Sequence, residues 1–187
     1  MKKSIDERRT LIVLVTTLCT LLGATAHAEG HIVSWERIVG IDPNPTGGQV
    51  FAGISPVTFP WSITRGRALL NATTGRLYFD VKGLSMGASP TSLAIVGTTG
   101  VVTELAGTIL CNATGEYVDS TPVELSDSGD ASYYGQLPYM IPCDNESWVF
   151  LLRVAEVIPG APPIQGRWLA HGAVRKLQDR IRNHQGE

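Results

Sequence analysis

Two cysteines and one serine carry the most easily named chemistry in this 187-residue chain. Cys111 and Cys143 have no histidine or further cysteine at the short spacing a zinc site uses, so the chemistry expected of them is oxidation to a disulfide. Closing so long a loop stabilises by roughly 3 to 4 kcal/mol on the chain-entropy account, a large share of a small domain's stability. Gly83-Leu84-Ser85-Met86-Gly87 matches the Gly-x-Ser-x-Gly pattern of a hydrolase nucleophile elbow. An elbow needs a helix directly after its serine, and Ala88-Ser89-Pro90 places a helix breaker there. His31, His171 and His184 stand near the ends of the chain, and no spacing recommends one of them as the base for Ser85. Asp127-Ser128-Gly129-Asp130 sets two carboxylates beside a turn, fewer than the six or so oxygens a calcium ion takes. No catalytic residue, metal or cofactor is expected.

Binding chemistry is concentrated in residues 42–61, where Pro43, Pro45, Pro56 and Pro60 restrict the chain. A loop so restricted orders its rings at low entropic cost, so Phe51, Phe59 and Trp61 are expected to offer apolar faces to a protein or carbohydrate ligand. The alternative is that all three anchor the loop onto the core. Trp35, Trp148 and Trp168 fall within predicted strands, where an indole is a core residue by default.

The elements that must position these residues follow from hydrophobic periodicity. Leu77, Phe79 and Val81 alternate with Tyr78, Asp80 and Lys82, the pattern of a strand with one buried face. Residues 67–71 form a preceding extended run, and Ala72-Thr73-Thr74-Gly75 makes the hairpin turn between them. Residues 31–40, 101–111, 117–125, 131–137, 148–154 and 167–174 read as further strands, punctuated by Gly-, Asp- and Pro-rich turns. About eight short strands with no helical period before residue 173 imply an all-β fold, an antiparallel β-sandwich or barrel. Val174, Leu177 and Ile181 then recur at helical spacing, which predicts a short C-terminal helix or a disordered tail.

The stretch Gly75-Arg76-Leu77-Tyr78-Phe79-Asp80-Val81-Lys82-Gly83-Leu84 resembles the Gly-x-Leu-x-Phe-x-Val-x-Gly-Leu segment of chordin-repeat domains over about ten residues. The resemblance implies a secreted β-sandwich; the His-rich segment that follows in those domains has no counterpart between Ser85 and Gly100. The chain from residue 29 onward is also similar to small secreted bacterial proteins of unknown function, a likeness that implies no activity.

Organisation and charge complete the reading. Four basic side chains among residues 2–9 precede an apolar run over residues 11–24 and the small-residue site Ala26-His27-Ala28, the build of a signal peptide cleaved between Ala28 and Glu29. The apolar run is shorter than the ~20 residues of a membrane helix, and no second one follows, so no transmembrane segment is expected after cleavage. The expected organisation is a signal peptide at 1–28, a secreted β-sandwich domain at 29–174 and a basic tail at 175–187. Net charge is −2, without the basic excess of a nucleic-acid-binding protein. The expectation for function is a secreted or periplasmic, non-enzymatic binding or envelope-associated structural module. Its rival is a small extracytoplasmic hydrolase or lyase using loop carboxylates of raised pKa.

Overall fold

The computed structural model describes residues 31–41, 49–87, 96–144, 147–161 and 164–178. Among these the chain is all-β, with no helix. The strands are β1 (Ile32–Gly40), β2 (Trp61–Ser62), β3 (Arg65–Asn71), β4 (Arg76–Lys82), β5 (Ser85–Met86) and β6 (Val102–Cys111). They continue with β7 (Tyr117–Asp119), β8 (Val123–Glu124), β9 (Ala131–Gln136), β10 (Trp148–Val157) and β11 (Trp168–Gln178). The main sheet is antiparallel in the order β7-β6-β10-β11-β1-β3-β4-β9, with β8 also on β6, while β2 and β5 pair separately.

This sheet cannot be flat. Strand β8 lies beyond β6 and strand β9 beyond β4, seven spacings or about 34 Å apart across a flat sheet. The chain from Glu124 to Ala131 reaches at most about 25 Å, and it is folded into a turn in which Asp130 O accepts from Ser126 N at 3.0 Å. The sheet therefore curls into a half-barrel. Ring contacts across the interior say the same: Phe79 on β4 and Phe150 on β10 are four strands apart in order, yet their centroids are 5.8 Å apart.

The interior is filled by one side of each strand. Burial along β4 alternates strictly, with Leu77, Phe79 and Val81 wholly buried. Trp35 of β1 reaches Phe150 at 5.7 Å, and Phe79 stacks on Tyr133 of β9 at 5.8 Å. Gly107 of β6 makes room for the Phe79 ring, since a Cβ there would lie 2.6 Å from it. Strand β6 is buried along almost its whole length, and its inner and outer residues alike, such as Ile109 and Leu110, are shielded from solvent.

The hairpin between β3 and β4 forms as its turn residues require. Asn71 Oδ1 accepts from the Thr73 and Thr74 amides, and Gly75 supplies a φ of 71° where the chain reverses. Cys111 and Cys143 form the expected disulfide, tying the end of β6 to the segment before β10, with Cα atoms 5.5 Å apart.

One expectation is corrected. Residues 174–178 do not start a helix but continue β11, whose backbone pairs with β1 from Gly40↔Ala170 to Ile32↔Gln178. An open strand edge on β1 offers a ladder of backbone hydrogen bonds, and that tertiary partner overrides a weak local helical period. The rest of the tail, the segment 1–28 expected as a signal peptide and residues 42–48 lie outside the described residues.

Candidate functional site

The aromatic rings of residues 42–61 take positions inside the fold. Trp61 is 4% exposed and sits in β2 opposite Met86, its amide donating to Ile41 O at 3.1 Å. Gly40 allows that approach, because a Cβ there would collide with the Trp61 carbonyl. Phe51 is 6% exposed and packs edge-on to Trp168 at 5.4 Å, while Phe59 is half-buried against the core. The faces expected to meet a ligand are thus turned inward in Phe51 and Trp61, because apolar area buried on the barrel stabilises more than the same area left in water.

The residues singled out for catalysis have different neighbours in the fold. Ser85 lies within β5, not at a strand-to-helix turn, and its hydroxyl faces that of Ser62 at 3.4 Å. His171 of β11 packs beside Phe51 (5.9 Å) and Trp168 (5.6 Å), which also touch each other. Burial holds its pKa below the ordinary histidine value, opposed by a contact of its Nδ1 with Gly172 O at 3.4 Å.

The acidic residues are engaged in holding strands together. Asp130 accepts from the Gly83 amide at 3.1 Å and from Lys82 Nζ at 3.2 Å, and chiefly the first of these lowers its pKa below the usual carboxylate value. Asp119 receives both its oxygens' bonds from Arg153 Nη1 at 2.9 Å and one from Thr108 Oγ1 at 2.5 Å. Arg153 also donates to Gly166 O at 2.8 Å and lies 5.0 Å from the Tyr117 ring centroid, so this cluster clamps β7 to β6 and β10. Among the described residues no three of His, Cys, Asp and Glu converge where a metal ion could sit.

Open surface among the described residues includes a groove and a sheet face. A groove of about 540 Å³ runs beside β7, lined by residues 115–117 and 139–142 and crossed by the Tyr139 hydroxyl, which donates to Tyr117 O at 3.4 Å. The second is the outward face of β3, β4 and β9. The same alternation that buries Leu77, Phe79 and Val81 turns Arg76, Tyr78, Asp80 and Lys82 outward. Register then brings their neighbours into rows. Leu69, Tyr78 and Tyr134 form one row; Arg67, Asp80 and Ser132 lie on one side of it, and Asn71, Arg76 and Gln136 on the other.

This face is both apolar and charged. Tyr134 is 72% exposed and Leu69 39%. Arg67 Nη2 donates to the Tyr78 hydroxyl at 3.1 Å with its guanidinium 5.3 Å from that ring, and Arg76 Nη1 donates to the Tyr134 hydroxyl at 3.4 Å. At the β1 side of the face a cleft of about 340 Å³ is lined by Glu36, Arg65, Gly66, Arg67 and Asp80. Sequence reasoning missed this constellation; its only signal was the polar half of the alternation, in which Tyr78 stands among charged residues. No family model, curated protein or solved structure matches the chain.

Proposed function

We propose that the protein is a non-enzymatic, extracytoplasmic binding module that receives its ligand on the outward face of β3, β4 and β9. The observation that carries this reading is the row Leu69, Tyr78 and Tyr134, exposed at Leu69 and Tyr134 and half-buried under the Arg67 guanidinium at Tyr78, with arginines in the rows on either side. Tyrosines bring large amphipathic contact area at low conformational-entropy cost, and arginines add directional hydrogen bonds. A sheet face of paired strands also holds these groups in place before a ligand arrives.

The acid–base groups support a binding role over a catalytic one. Asp119 is engaged in an ion pair with Arg153. The Gly83 amide, with Lys82 beside it, holds the pKa of Asp130 below the usual carboxylate value, whereas a general acid at neutral pH needs a raised one. Export after cleavage at Ala28 is supported by the basic-then-apolar N-terminal segment and by the Cys111–Cys143 bridge, which persists in an oxidising compartment. The intact mass of exported protein tests this, and retention of residues 1–28 would overturn it. The binding reading is tested by retention of wild type and Tyr134→Ala on immobilised polysaccharides and envelope preparations. Loss of retention in the variant at unchanged melting temperature supports it. Equal retention of both proteins, or retention of neither, contradicts it.

A further inference from the structure

We propose that the ligand of this face is an acidic polysaccharide, a chain of sugar rings bearing carboxylates; this rests on the reading of the face as the binding surface. The argument starts from charge. Outward on β3 and β4 stand Arg65, Arg67, Arg76 and Lys82 against Asp80. Lys82 is paired with Asp130 at 3.2 Å, and the neighbouring Glu36 with Lys176 at 2.8 Å. Among the described residues Arg65, Arg67 and Arg76 have no carboxylate ion-pair partner. This cationic excess is local. The chain as a whole is negative, and residues 101–147 hold eight acids and no lysine or arginine. An excess of one sign on a ligand-sized face, here three arginines against Asp80, favours ligands of the other.

The apolar row fixes what kind of anion fits. Leu69, Tyr78 and Tyr134 cross three strands, about 10 Å along the outer side of the curled sheet. The C–H face of a pyranose ring is apolar and its rim carries hydroxyls, so sugar rings can lie on Leu69 and Tyr134 at the two ends of the row, with Arg67 over Tyr78 between them and substituents pointing to the flanking rows. Those rows are about 7 Å away along the strands, since alternate residues share a face. Arg67 stands in one and Arg76 in the other. Each guanidinium spends one donor on a tyrosine hydroxyl, Arg67 on Tyr78 and Arg76 on Tyr134. The remaining N–H groups of each form the fork that grips a carboxylate bidentately. A single-stranded nucleic acid also stacks and carries charge. With a phosphate on every nucleotide, however, it meets a protein that is acidic beyond three arginines.

The test is calorimetric titration of the full processed chain with oligogalacturonate, a neutral cello-oligosaccharide of equal length and oligodeoxythymidylate, at low and high salt. Oligogalacturonate is expected to bind, more weakly as salt rises, with affinity reduced about tenfold or more in Arg67→Gln/Arg76→Gln. Tyr134→Ala is expected to weaken it comparably without a change in melting temperature. Equal binding of the neutral oligosaccharide, lost in Tyr134→Ala, would overturn the acidic assignment and leave the face as the binding surface. Absence of oligosaccharide binding, or binding indifferent to Tyr134→Ala, would overturn both. Preference for the oligonucleotide would overturn the polysaccharide assignment. Melting temperature of Arg67→Gln/Arg76→Gln separates lost charge from lost fold.

Discussion

Adding one methyl group at Gly107 interrogates the curl of the sheet directly. A Cβ there would lie 2.6 and 2.8 Å from two ring carbons of Phe79 and 3.2 Å from Leu77 Cδ2, well inside the 3.5 to 4.0 Å at which carbons attract. The ring has little room to yield, because it is stacked on Tyr133 and tilted against Phe150, each at 5.8 Å. Overpacking of this kind costs about 1 to 3 kcal/mol, against up to about 1 kcal/mol gained from alanine's lower backbone entropy, so Gly107→Ala should destabilise by about 1 to 2 kcal/mol. Phe79→Leu should cost about 1 to 2 kcal/mol by leaving a void. In the double variant the new methyl occupies that void, and the combined loss should fall short of the sum by about 1 kcal/mol or more. Urea denaturation followed by tryptophan fluorescence supplies the four free energies at matched m-values. On a flat sheet β4 and β6 would be five spacings or about 24 Å apart, and such sites add within about 0.5 kcal/mol. Additivity would therefore refute the closure.

Three further perturbations probe other parts of the structure. Trp61→Ala should cost about 3 to 5 kcal/mol in chemical denaturation, since the indole is almost wholly buried; a loss below about 1 kcal/mol would return Trp61 to the surface. Cys111→Ser/Cys143→Ser should lose about 4 kcal/mol, from the entropy of closing a loop of separation 32, and a neutral effect would mean that the reduced chain retains that loop's structure. His171 has its folded pKa below the unfolded value of about 6.5, so its contribution to stability is full above pH 6.5 and is lost as pH falls from there toward the folded pKa. Melting curves across that window should show the decline in wild type and a shallower one in His171→Phe; identical slopes would exclude His171 as its source.

Much of the fold is legible in the sequence because alternation is a local signal. Leu77, Phe79 and Val81 announce a one-sided strand, Asn71 to Gly75 announce its turn, and Cys111 and Cys143, without a metal-ligand spacing, announce a bridge. The Gly75–Leu84 pattern coincides with β4 between two glycines of positive φ, Gly75 and Gly83. What stays hidden depends on partners distant in sequence. The helical spacing of Val174 and Leu177 yields to a ladder on β1, whose residues are more than a hundred positions away. The pairing of Trp61 with Met86 spans only two residues on each side, too short for any period to register.

The candidate site shows the same division. That Tyr78 and Asp80 face outward is readable from the alternation of β4. That Tyr134 stands directly opposite Tyr78, and Arg76 close enough to bond its hydroxyl, requires the β4–β9 register, which no local pattern encodes. Proline-rich composition drew attention instead to Phe51 and Trp61, whose rings the barrel buries. Stiffness of a loop says that its rings are ordered, not on which side of the chain they lie.

The claim that the outward face of β3, β4 and β9 is the binding surface is tested most directly by amide chemical-shift mapping of the protein during titration with oligogalacturonate. The account predicts saturable shifts clustered around Arg67, Tyr78 and Tyr134, with the groove formed by residues 115–117 and 139–142 unmoved. Shifts confined to that groove, or no saturable shift on the face, would contradict it.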